Sequence, residues 1–171
     1  EKFQTAYHLG LCRKLGFAES NERNRQLAGE LLEIMAEQKA DFTLTFRGLS
    51  ELGKGEPSGE QGARSLFADP AAFDAWANGY GDRLNEEGLD DGVRLTRMRG
   101  VNPRFIPRNH RVQEAITALV DREDEGPLEA LLTVTATPFE DPAGHTNYAN
   151  HAEYAKPPQP NEVVHQTFCG T

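Results

Sequence analysis

Apolar residues recur at helical spacing along most of the chain. Phe3, Ala6, Tyr7, Leu11 and Leu15 fall three or four residues apart, which predicts a helix over 3–15 with Gly16 as its stop. The polar stretch ESNERNRQ then offers Ser20 or Asn21 as the cap of a long second helix, whose stripe is Leu27, Leu31, Ile34 and Met35. The same spacing allows that stripe to run on through Phe42, Phe46 and Leu49. In DPAAFDAWANGYGDRL, Asp69 caps and Pro70 takes the first position of a third helix, with Phe73, Trp76, Ala77, Tyr80 and Leu84 on one face. Gly79 and Gly81 weaken its far end.

The intervening text reads differently. Residues 50–68 are rich in Gly, Ser, Pro and Glu, the composition of a mobile surface loop. After the acidic turn NEEGLDDG a short helical piece is expected from Val93 to Met98, followed by GVNPRFIPRN, where two prolines forbid regular helix and predict a structured turn. Helical periodicity resumes through Val112, Ala115, Ile116, Leu119 and Val120, and GPLEALLTVTATPF adds a short helix ended by Pro138. From Glu140 onward prolines are frequent and apolar residues few, so an extended tail is expected, held by the rings of Phe139, Tyr148, Tyr154 and Phe168. The fold class is all-α: a helical segment over 1–139 and a Pro-rich tail over 140–171.

Composition narrows the partners. With 171 residues, 37% of them hydrophobic, the chain can bury one core. A formal net charge of −9 disfavours nucleic acid, and the apolar runs fall far short of the roughly 20 residues of a membrane span, so neither nucleic acid nor membrane is an expected partner. One local exception to the acidic balance gathers Arg94, Arg97, Arg99, Arg104, Arg108 and Arg111, which are expected to pair with the surrounding acidic surface. Two cysteines cannot build a disulfide framework, which points to a reducing, cytoplasmic setting. The opening EKFQTAYHLG has no initiator Met and reads as mid-helix, so the chain is expected to be the carboxyl-terminal piece of something longer.

Candidate chemistry is sparse. His8 and Cys12, and His165 and Cys169, are each four residues apart and together match a tetrahedral zinc set, although scattered histidines generate such pairs by chance. Neither a glycine-rich phosphate loop with its lysine nor a serine elbow is present. Asp90 and Asp91 read as solvated turn formers. Cys169, two residues from the end, is placed where packing gains little, which leaves reactivity as its explanation; Cys12, on a helix, reads as a small buried hydrophobe.

Several stretches resemble the selenoprotein O family, pseudokinases that act as protein adenylyltransferases. They are CRKLGF at 12–17, LLEIMAEQKADFTLTFRGLS at 31–50, AFDAWANGY at 72–80, MRGVNPRFIPRNHRVQEAI at 98–116, and the ending PFEDPAGHTNYA with YAKPPQPNEVVHQTFCGT. The resemblance covers essentially the whole chain and implies the carboxyl-terminal part of such a protein, a helical portion of a protein-kinase-like fold. It implies for the intact parent transfer of AMP from ATP, with Mg2+ or Mn2+, to Ser, Thr or Tyr hydroxyls of protein substrates, with the nucleotide-binding residues in the kinase-like core upstream. No catalytic, cofactor-binding or metal residue is then expected in this segment, whose partners are that core and the protein substrates. The family also carries a cysteine or selenocysteine near its end, so Cys169 is implied to be a redox latch joined to a cysteine upstream; the family's commoner ending is CSS, and here it is CGT. The turn NPRFIPRN resembles the one before the family's last long helix, with structural or substrate-facing arginines and Asn102–Pro103 as a helix boundary.

Overall fold

The computed structural model describes residues 2–50, 52, 62–140 and 151–166. All regular structure among them is helical, with seven α-helices and two short 3-10 turns. The chain divides into two compact units, Glu1–Asn102 and Pro103–Thr171.

The first unit opens with α1 (Lys2–Lys14) and α2 (Glu22–Gln38). Gly16, at φ +86°, ends α1: its N–H reaches Arg13 O and the Phe17 N–H reaches back to Cys12 O, closing the last turn in a left-handed cap. A side chain at Gly16 has no room, because a Cβ would lie 2.9 Å from Arg94 Cγ and Met98 Sδ. Asn21 caps α2 by accepting from the Asn24 N–H.

The apolar stripe does not run unbroken from Leu27 to Leu49. Lys39 adopts a left-handed conformation at φ 55°, Ala40 N–H bonds Met35 O, and Asp41 caps a new helix, α3 (Phe42–Leu49), by accepting from the Leu44 N–H. The turn reorients the chain so that Phe46 and Leu49 enter the same core as Leu31 and Met35. A 3-10 turn, Ala63–Leu66, packs on α3 so closely that a Cβ on Gly48 would lie 2.7 Å from Ala63 N. The last part of the expected 50–68 loop is therefore packed structure, with Ala63 and Phe67 buried.

Next comes α4 (Pro70–Glu87), started by Asp69 and Pro70 as the sequence indicates and carried past Gly79 and Gly81 to a left-handed cap at Gly88. Its aromatic face supplies the centre of the unit. Trp76 stacks on Tyr80 at 4.9 Å and donates its indole N–H to Leu27 O, while the Tyr80 hydroxyl donates to Leu15 O. Helix α5 (Asp91–Val101) is longer than the expected 93–98 piece, because Asp90 is its cap, accepting from the Val93 N–H, and Asp91 lies in its first turn. These two aspartates are a helix start rather than turn formers. Its end at Asn102 precedes Pro103, the expected boundary.

The second unit holds the NPRFIPRN turn from Pro103 onward, α6 (Asn109–Arg122), α7 (Gly126–Ala136) and a 3-10 turn, His151–Ala155, in what reads from sequence as extended tail. Both the Arg104 and Phe105 N–H groups donate to Pro138 O, which ties the turn to the end of α7. Phe105, Val134 and Ala155 form its small core. Of the expected stripe on α6 only Ala115 is buried; Ile116, Leu119 and Val120 are exposed, as is Phe139. Tyr154 does anchor its segment, with its hydroxyl on Pro127 O and its ring under Arg111. Tyr148 and Phe168 lie outside the described residues.

Candidate functional site

The segment that carries most of the arginines is also where distant parts of the first unit are tied together. Arg47, buried on α3, donates to the backbone oxygens of Arg99 and Asn102 at 3.2 and 3.0 Å. Asn102, fully buried, returns a hydrogen bond from Nδ2 to Lys14 O and accepts one from Lys14 Nζ at 3.3 Å. Carbonyls at the end of α5 have no partner within the helix, and a buried guanidinium satisfies two oxygens at once. Removal of any member would leave buried polar groups unpaired, so this cluster acts as a structural clamp.

Arg94 is the second tie. Its side chain is 2% exposed, reaches Asp91 Oδ1 at 3.3 Å and Met98 Sδ at 3.3 Å, and lies beside Gly16. Burial pushes the neighbouring Tyr80 hydroxyl far above its ordinary range, with Arg94 opposing that shift. Arg111 pairs with Glu114 at 2.7 Å. The expected pairing of arginines with acidic residues thus holds for Arg94 and Arg111, but Arg94 makes its pair from inside the fold.

The chemistry available is limited. Cys12 is a free, fully buried thiol, held above its usual pKa chiefly by burial, with Ser20 and Arg25 opposing. It is a core residue, as the sequence suggests, and not an activated thiolate. Neither Tyr80 nor Cys12 ionises readily near neutral pH. No group of three or more His, Cys, Asp or Glu able to hold a metal occurs among the described residues. Cys169, the predicted redox residue, lies outside the described residues. Among these residues no helix is long and apolar enough to cross a membrane.

One open cleft of about 440 Å³ borders the clamp, between the end of α1 and α5. Arg13 and Arg97 bring positive charge to a mostly apolar wall that includes Phe17 and Val101. Sequence reasoning missed both clamp and cleft, since each joins segments more than fifty residues apart, and helical periodicity says nothing of such pairings.

Comparison with known proteins places these features in a lineage. A family model described as protein adenylyltransferase SelO matches residues 1–136. A protein nucleotidyltransferase YdiU of Methylorubrum extorquens is 48% identical over 175 residues, covering 99% of this chain and 34% of the relative. One of the same name from Rhodopseudomonas palustris is 51% identical over 172 residues, covering 100% and 33%. The chain spans about a third of the length of the curated relatives it matches. The matched region holds the α1–α5 framework, the clamp and the arginine turn, and on this match the chain belongs to the SelO family.

Proposed function

We propose that the protein containing this chain is an adenylyltransferase that moves AMP from ATP to Ser, Thr or Tyr hydroxyls of other proteins, and that the chain is its helical scaffold. The family match over residues 1–136 carries this reading, and the name shared by relatives 46–51% identical supports the nucleotidyl-transfer class. On this reading ATP and Mg2+ or Mn2+ bind residues outside the chain, in a kinase-like core that this segment buttresses. Several buried polar groups of the first unit fit that role: Arg47, Asn102 and Tyr80 donate to backbone oxygens, and Arg94 to Asp91 and Met98 of its own helix. The site of action is cytoplasmic, and the partners are the core and the protein substrates.

Cys169 is proposed as a redox latch. Its thiol and a thiol of the remaining chain would give two electrons and two protons to a disulfide oxidant such as oxidised glutathione, forming one intramolecular disulfide. The Cys169→Ser variant of the full-length protein is then insensitive to the glutathione redox ratio.

The test of the main reading is transfer by the full-length protein to protein acceptors from ATP labelled at the α or the γ phosphate. Label retained from the α position alone is the expected result. Label from γ alone means a kinase, and none under either oxidising or reducing conditions favours a non-enzymatic helical interaction module.

A further inference from the structure

The first half of α1 leaves two large rings in water. Phe3 is 79% exposed and Tyr7 is 47% exposed, and the rings stack with centroids 6.2 Å apart. At roughly 100° per residue, positions 3, 7, 10 and 14 share one face of a helix. Position 10 is a glycine, exposed, and a Cβ added there would meet nothing within 4 Å. Glycine inside a helix is disfavoured relative to alanine, and no neighbour among the described residues requires it.

Lys14 completes the face. Its Nζ donates to Val101 O and Asn102 Oδ1 at 3.2 and 3.3 Å and lies 5.8 and 5.7 Å from the ring centres of Phe42 and Phe46. No carboxylate among the described residues pairs with it, and burial lowers its pKa. Phe42, 47% exposed, extends the apolar strip beyond α1.

We propose that Phe3, Tyr7, Gly10, Lys14 and Phe42 form the docking face for the rest of the parent chain, through an apolar segment that carries a carboxylate opposite Lys14. The inference rests on reading the chain as part of such a parent, whose relatives carry about two-thirds of their length outside the matched part. Exposed rings gain from burial in proportion to the apolar area covered. The bare glycine admits close approach of a backbone. A lysine with two of three donors spent on oxygens has one left for an acid.

Accessibility in the full-length protein tests this without any assay of AMP transfer. In a Cys169→Ser background, Phe3→Cys, Tyr7→Cys and, as an exposed reference on α2, Glu33→Cys are reacted with a maleimide, and labelling is read peptide by peptide in native buffer and in urea. The expected result is labelling at positions 3 and 7 at least tenfold slower than at position 33 in native buffer, and equal rates in urea. Equal native rates would overturn the proposal. A photo-crosslinking phenylalanine analogue at Tyr7, which keeps the ring, is expected to join the same polypeptide outside these 171 residues. Crosslinks to a second copy or another protein, or none, would also overturn it.

Discussion

The two units solve the same problem, helices with one apolar stripe each, to different extents. The first gathers sixteen buried apolar residues among those described into one cluster centred on Phe17, Phe46, Phe73, Trp76 and Tyr80. Among the described residues the second clusters Phe105, Val134 and Ala155 and leaves Ile116, Leu119, Val120 and Leu132 exposed. Helical periodicity is equally clear in both, so the stripe shows which face gains from burial and not whether this chain supplies the cover. In the first unit aromatic rings with a polar tip also donate to backbone carbonyls, Tyr80 to Leu15 O just past the end of α1 and Trp76 to Leu27 O within α2.

The largest expected break of this contrast is Trp76→Ala. It removes an indole stacked on Tyr80 and tilted against Phe73, together with the hydrogen bond it adds to Leu27 O, for a loss of about 3–5 kcal/mol in urea unfolding of the chain. A loss below about 1 kcal/mol would mean that the aromatic centre is not the keystone of the unit.

Gly48→Ala is next. Its Cβ would press on backbone at Ala63, which cannot swing aside as a side chain end does, so about 1–3 kcal/mol should be lost. Protease cutting near residue 63 in the variant, with α4 intact, would locate the damage in the α3 contact with the 3-10 turn.

A third test concerns the second unit and pH. His110 is nearly buried, and its Nε2 finds no hydrogen-bond partner among the described residues; burial first, then Arg111, hold its pKa below the ordinary 6.5, against Glu162 and Glu114. The unfolded chain therefore takes up the proton first as pH falls through 6.5, and stability falls from there down to the folded-state pKa. His110→Gln should flatten that part of a stability-against-pH curve; an unchanged slope would remove His110 as its cause.

The smallest effect is expected from Ile116→Ala, at an exposed position of α6, within about 0.5 kcal/mol for this chain. A loss comparable to that of a buried leucine would show that the second unit is packed more fully than its exposed face indicates.

Much of the framework was legible in sequence where the signal is local. Asn21, Asp69 with Pro70, and Gly16 act through neighbours within five residues, and each marks a boundary that the structure keeps. The break at Lys39 was not legible, because a lysine carries no left-handed preference and Asp41 reads equally as a polar position of a continuing helix. The α5 start was missed because Asp90 and Asp91 suit turns as well as caps. The clamp was out of reach for another reason: Lys14 meets Asn102 across 88 positions and Arg47 meets it across 55. Family membership was legible, since it rests on whole stretches such as MRGVNPRFIPRN and needs no knowledge of their contacts.

On the proposed function this chain supports nucleotide chemistry without carrying it. Calorimetric titration of ATP with Mg2+ into the full-length protein and into the 171-residue chain, its helicity checked by circular dichroism, tests it directly. Saturable binding to the full-length protein and none to the chain is the expected result. Binding by the chain itself, or none by the full-length protein, would contradict it.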